Sequence, residues 1–227
     1  MFAQDEPPSD TGGDRPESEV RFHDLRSAGR ELARALGEFK SREDTIVLTP
    51  ILGGVPVAHE VAQLLGLPLD FVIIRRLLTP DGPDSQVCAV NVAGSLVIDE
   101  ELPPRPPAPQ SPFEHFFADA LDGLARREQV CRAGRPPAEL ARKTILLVDC
   151  GIRTGLTLKA AIRALRRRRP ERIVAVVPVA AQESREAIEA VADGVICLTW
   201  PHPFGHVGLW YRDFSRPGER EISALLT

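Results

Sequence analysis

At 227 residues, with 43% apolar and 26% charged side chains, the chain has the composition of a soluble α/β domain able to bury its own core. Its net charge of −4 is uneven: residues 1–19 hold six acids and one arginine, which leaves about +1 for the remainder. That near-neutral body argues against nucleic-acid binding, and no apolar run approaches the roughly 20 residues that cross a bilayer.

Residues 1–19 read as a disordered acidic tail and 20–227 as one domain, interrupted by an insert at 78–112. Residues 23–39 place Leu25, Ala28, Leu32, Leu36 and Phe39 on one helical stripe. "TIVLT" (45–49) suits a strand buried on both faces, and "PILGG" (50–54) turns the chain. A helix follows at 55–66, with Pro56 in its first turn and Gly66 closing it, then a buried strand at 69–77. Residues 78–101 read as a loop and a β-hairpin bending near Gly94, and 103–112 as a stiff proline-rich linker. A helix at 113–134 precedes a strand at 144–149, a helix at about 156–169, a strand at 172–180, a helix at 183–193 and a strand at 194–200. Five apolar strands alternating with helices predict a mostly parallel five-stranded sheet covered on both faces. The segment 201–214 carries the chain's one tyrosine and is expected to pack.

The chemistry concentrates at "LLVDCGIRTGLT" (146–157). Ligands of open α/β sheets sit beyond the carboxyl ends of the strands, where Asp149 falls. The amides opening the next helix, with its dipole, form an anion site; Gly151 and Gly155 allow close backbone approach, and Thr154 and Thr157 add hydroxyls. A carboxylate beside that anion suits a sugar hydroxyl, which donates to it. The same turn also serves as a plain helix cap, with Thr154 or Thr157 as N-cap.

Four cysteines (Cys88, Cys131, Cys150 and Cys197) form no C-x-x-C pair, so neither a disulfide framework nor a zinc site is expected, and a reducing cytoplasm fits. Cys150 is either a thiol activated by the helix start or a small gap-filling residue. His202 and His206 flank Pro203 and Gly205, a poor metal geometry, and His59 reads as structural. "RRRR" (166–169) suits a helix C-terminus as a solvated face.

"ILLVDCGIRTGLT" resembles the phosphoribosyl-diphosphate (PRPP) signature of the type I phosphoribosyltransferases, in which apolar residues lead to two acids and a loop ending in T-G-x-T. "LTPILGGVPVAHEVAQLLGLPLDFVIIRRL" resembles that family's pyrophosphate loop, its helix and the next strand. "GRPPAELARKTILLVD" and "VGLWYRDF" resemble a bacterial subgroup of predicted phosphoribosyltransferases. The resemblance covers about residues 20–215 and implies a type I phosphoribosyltransferase-like fold, with a flexible loop at 78–101 closing over the site and a small hood at 201–214 facing the acceptor. It gives PRPP binding to Asp149, Cys150, Gly151, Ile152, Arg153, Thr154, Gly155, Leu156 and Thr157. It gives pyrophosphate binding to Leu52, Gly53, Gly54, Arg75 and Arg76. Mg²⁺ would come bound through PRPP and not to a protein metal site; a nitrogen acceptor would displace pyrophosphate. The implied partner is a phosphorylated sugar or nucleotide, with no nucleic acid or membrane, and a homodimer is left open.

Three departures from the family pattern bear on turnover. The second acid is Cys150, a basic position before the glycine pair is Leu52, and Arg153 stands where relatives carry a small residue or an acid. Arginine is no general base. An active transferase would have Arg153, with Asp149, in the catalytic set, taking part of the pyrophosphate or metal role. A retired enzyme would keep only the binding of PRPP or a nucleotide, as sensor or scaffold. A protein-interaction module built on 103–112 is a third class.

Overall fold

A computed structural model describes residues 21–51, 53–78, 86–93, 95–99 and 112–226. The acidic tail, Leu52, Gly94, most of the proline-rich linker and residues 79–85 lie outside them.

Helix α1 (Leu25–Ala35) starts at Asp24, whose carboxylate accepts from the Ser27 amide at 2.6 Å while the Ser27 hydroxyl accepts from the Asp24 amide at 2.9 Å. β1 (Thr45–Pro50) is buried at every position. α2 (Val55–Leu65) carries Pro56 in its first turn and ends at Gly66, whose φ of 64° is the left-handed conformation of a helix stop. β2 (Leu69–Leu78) follows. β3 (Gln86–Val92) and β4 (Ser95–Asp99) form an antiparallel hairpin, as expected. α3 (Pro112–Arg132), β5 (Thr144–Val148), α4 (Leu156–Arg166), β6 (Arg172–Val179), α5 (Arg185–Glu189), β7 (Gly194–Thr199) and α6 (Glu219–Leu225) complete the order.

The strands lie in the order β4-β3-β2-β1-β5-β6-β7. β2, β1, β5, β6 and β7 are the five parallel strands expected from the sequence. The hairpin strands, expected to belong to a mobile cover for the site, instead extend the sheet antiparallel to β2. Burial explains the difference: Cys88, Ala89, Val90, Asn91 and Val92 are all buried, so β3 is packed on both faces. The helix expected at 183–193 shortens to one 3₁₀ turn at 182–184 and α5, and α6 lies beyond the last element read from the sequence.

Apolar alternation assigns the two faces. Val47, Leu146, Val148, Val174 and Val176 pack under α1 and α2, while Ile46, Leu48, Ile145, Leu147, Ile173 and Ala175 pack under α4. His59 is structural: its Nδ1 meets the Leu225 carbonyl at 2.9 Å and holds α6 to α2. The arginine run is structural in part. Arg166 pairs with Asp193 at 2.7 Å, and Arg168 donates to the carbonyls of Val92 and Ala93 at 2.5 and 2.7 Å. Arg168 thus pins the end of β3 to the end of α4. Arg168→Ala is expected to speed amide hydrogen exchange across β3 and β4 while global stability falls by only about 1–2 kcal/mol, measured by mass spectrometry beside denaturant melts.

Candidate functional site

The carboxyl ends of the neighbouring strands β1 and β5 bring two glycine loops together, and Asp149 stands between them. A Cβ placed on Gly54 would lie 2.4 Å from Thr49 Oγ1 and 3.1 Å from Asp149 Oδ1; one on Gly53 would lie 3.2 Å from Cys150 Sγ. The contact needs glycine at 54 for lack of room, since its φ of −78° is an ordinary value.

The loop after β5 is stitched into the fold before it opens. Asp149 N–H donates to Val176 O at 3.1 Å, Ile152 N–H to Val179 O at 3.0 Å, and Ala181 N–H to Ile152 O at 2.8 Å. Cys150 N–H donates to Asp149 Oδ1 at 2.7 Å. Ile152 therefore spends its backbone groups on β6 and its side chain on the core, so it serves the loop as an anchor and not as a donor to a ligand. The next three amides differ: among the described residues no protein acceptor meets the N–H of Arg153, Thr154 or Gly155. Gly155, at φ 78°, turns these amides into the start of α4, whose first N–H groups are also free of helical partners. Neither threonine is the N-cap; that residue is Gly155, and Thr154 Oγ1 reaches the Leu156 amide only at a long 3.5 Å. The arrangement is a cradle of donors at the positive end of a helix dipole, suited to a phosphoryl group.

Burial lifts the Asp149 carboxyl to about 6, opposed by the Cys150 amide and by the nearby positive charge of Arg216. Burial also pushes the Cys150 thiol well up, and the Asp149 charge adds to it. Cys150 is therefore an inert gap-filling residue and not an activated thiol. Tyr211 donates its hydroxyl to the Cys150 carbonyl at 2.5 Å, and Val207 presses on Gly151, so the segment 201–214 packs directly on the loop. Tyr211→Phe would leave that buried carbonyl unpaired. We expect a loss of about 1–3 kcal/mol in denaturant unfolding and weaker ligand binding.

The remaining predicted residues divide. Arg153 and Thr154 are exposed on the loop, and Leu156 and Thr157 are half-buried at the start of α4. Leu52 is outside the described residues. Arg75 and Arg76 lie three and four residues past Val72, the partner of Pro50 at the end of β1, and pair there with Ala89 and Cys88. Successive side chains of a strand face opposite sides, and Arg75 is directed at Gly123 of α3, so the two cannot clamp one anion together. His202 is engaged by Glu183, and among the described residues no cluster of three His, Cys, Asp or Glu side chains is placed to hold a metal. Arg216 belongs to no sequence motif; it lies exposed past the aromatic stretch, over the Phe214 ring.

Comparison with known proteins gives the family of the chain. The family model for the phosphoribosyl transferase domain matches residues 22–212. Two Mycobacterium tuberculosis proteins, MT0597 and Rv0571c, each named "Putative phosphoribosyl transferase", are 32% identical over 205 residues. The match covers 90% of this chain and 46% of theirs, so the chain spans about half the length of these relatives. The crystal structure of TT1426 from Thermus thermophilus superposes with a TM-score of 0.76 at 35% identity, covering 91% of this chain and 98% of that one. With the matched region running from α1 through the segment that packs on Cys150, the chain belongs to the phosphoribosyl transferase domain family.

Proposed function

We propose that this domain binds PRPP and transfers its phosphoribosyl group to a nitrogen acceptor, releasing pyrophosphate. The observation that carries the reading is the meeting of Gly54 and Asp149, which sets a carboxylate between an amide cradle and a second glycine loop. In this reading the 5′-phosphate takes the amides of Arg153 to Leu156 and the hydroxyls of Thr154 and Thr157. A ribose hydroxyl donates to Asp149, whose Oδ1 is already oriented by the Cys150 amide. The diphosphate lies along Gly53 and Gly54, within reach of exposed Arg153. The acceptor approaches from 201–214, its nitrogen forms the new bond at the anomeric carbon, and the bond to the diphosphate oxygen breaks with that oxygen keeping the electron pair. Catalysis of this kind is mainly positioning and charge stabilisation.

Mg²⁺ fits such a site when carried on the substrate, because it binds through one or two carboxylates plus phosphate oxygens, and Asp149 is the carboxylate the loops present. When bound it neutralises charge on the departing diphosphate. Free cysteines and the absence, among the described residues, of any helix long and apolar enough to cross a membrane are compatible with a cytoplasmic enzyme of phosphorylated small molecules.

One observation favours a second reading. Cys150, protonated and buried where the family pattern has its second acid, cannot share the ribose grip, so binding without turnover is the alternative. Calorimetric titration of PRPP with and without Mg²⁺, followed by pyrophosphate release with a panel of bases, separates the two. Binding with release supports transfer, and binding without release supports a sensor or scaffold. No binding would contradict both.

A further inference from the structure

Transfer to a ring nitrogen leaves a proton to be removed, and the PRPP loop offers no free base to take it. Arg153, standing where some relatives carry an acid, stays protonated. Asp149 holds the Cys150 amide and, in the proposed reading, the ribose. Burial keeps the Cys150 thiol and the Tyr211 hydroxyl protonated. It also pushes the Cys197 thiol to about 11, and Cys197 Sγ donates to Thr199 O at 3.0 Å. Asp213 is held below the ordinary carboxyl range by its hydrogen bonds to Ser215, which makes it a weak base.

One pair on the acceptor side of the loop is placed differently. Glu183 lies in the 3₁₀ turn at 182–184 just beyond β6, and His202 lies shortly beyond β7. These ends are held beside the PRPP loop. Ala181 N–H donates to Ile152 O at 2.8 Å, Gln182 N–H donates to Pro201 O at 3.4 Å, and Val207 lies against Gly151. His202 Nδ1 is hydrogen-bonded to Glu183 Oε1. An ionised carboxylate only accepts, so Nδ1 carries the proton and Nε2 presents a lone pair. Glu183 is kept ionised, below the ordinary range, by its own backbone amide first and by His202 next. Both side chains are more than half exposed, open to an incoming ligand. The other charge that follows in the turn, Arg185, is paired with Glu189 at 2.8 Å and lies over the Trp200 ring. His206, on the same segment, has no carboxylate to orient it among the described residues and makes no capping bond to its turn.

We propose that the His202 imidazole, oriented by Glu183, is the base that takes the proton from the acceptor's ring nitrogen, which makes the acceptor a heterocycle bearing an N–H. The ring nitrogen bonds to the anomeric carbon as the diphosphate oxygen leaves with its electron pair. The electrons of the N–H bond stay on the heterocycle, the proton passes to Nε2, and the imidazolium returns it to water after the product departs. Glu183 takes no proton; it holds the ring in the tautomer that can accept one. A positioned base of this kind contributes about 10²–10⁴-fold to a rate. The proton acceptor thus sits on the acceptor side of the site, in place of the loop position that Arg153 occupies.

The inference rests on the proposed transfer, and the test keeps the two apart. Pyrophosphate release is measured at saturating PRPP and Mg²⁺ with a panel of purine and pyrimidine bases, for the wild-type chain, His202→Ala and Glu183→Gln, beside calorimetric PRPP titrations. The expected result is a kcat lowered about a hundredfold in His202→Ala and about tenfold in Glu183→Gln. The Kd for PRPP should stay within about twofold in both. Added imidazole should restore much of the lost rate to His202→Ala and leave the wild type unchanged. An unchanged kcat in His202→Ala would show that the ring never meets the acceptor's proton. A loss that imidazole does not restore would show that the ring merely props the segment 201–214. Either overturns the inference while leaving the transfer reading intact. A wild-type chain that releases no pyrophosphate with any base, or binds no PRPP, would overturn the transfer reading itself, and this inference with it.

Discussion

Asp149→Asn is expected to make the protein more stable at neutral pH and to cost it the sugar. A free carboxyl ionises near 3.8, whereas burial holds Asp149 to about 6. Between those values the folded chain keeps a proton that the unfolded chain has lost. Stability therefore falls as pH rises through this window and stays lower above it. Asparagine removes the buried charge and can still accept the Cys150 amide through Oδ1, so its melting temperature should exceed the wild type's at about pH 8 and converge with it near pH 4. Function runs the other way. A hydrogen bond to a charged acceptor is worth about 1.5–3 kcal/mol, so PRPP affinity should fall about ten- to a hundredfold in the variant. Wild-type affinity should itself weaken as pH drops below about 6, where Asp149 takes up its proton. Calorimetric scans and titrations at several pH values check both halves. A variant less stable than wild type at the alkaline end would mean that the carboxylate is satisfied in place and not held there under strain.

Gly54→Ala carries the second large effect. The backbone at 54 accepts alanine, so the cost is one of space alone: the new methyl would meet Thr49 Oγ1 at 2.4 Å and Asp149 Oδ1 at 3.1 Å. Thr49 is fully buried, so its hydroxyl has nowhere free to swing. Overpacking of this order costs about 1–3 kcal/mol, or several degrees in a domain of this size. Ligand binding should suffer more, because the displaced group is Asp149, and a loss of tenfold or more in PRPP affinity is expected. Adding Thr49→Ala should restore much of the stability. If the double variant is no better than the single one, the crowding has another source. Gly53→Ala, which meets only the Cys150 sulfur at 3.2 Å, should be milder on both measures.

These two residues mark what is legible in the sequence. Asp149 is visible as the acid ending the apolar run 144–148, and Gly54 as part of a turn after another such run, because each signal is local. Their contact is not visible, since it depends on β1 and β5 being neighbours in the sheet although α2, the hairpin and α3 separate them along the chain. The parallel strands are legible for the same local reason: runs such as "TIVLT" and "TILLV" have no charged residue to offer solvent inside them. The hairpin shows the opposite case. "VCAVNV" carries no charge, which is the mark of a strand packed on both faces, yet family resemblance favours a mobile cover, and burial of Asn91 beside Val90 and Val92 decides for the sheet. The short α5 reflects tertiary context overriding a helical pattern, with "VAD" given up to the turn that leads into β7. The bond from Tyr211 to the Cys150 carbonyl leaves no trace in the sequence, because it too joins segments far apart along the chain.

The central claim is that the amides opening α4 and the carboxylate of Asp149 together hold a phosphorylated pentose. Its most direct test is a crystal structure of the chain soaked with PRPP and Mg²⁺. The account predicts the 5′-phosphate within hydrogen-bond distance of the Arg153, Thr154 and Gly155 amides, with a ribose hydroxyl on Asp149. A ligand bound elsewhere, or a phosphate on those amides with its sugar turned away from Asp149, would contradict it.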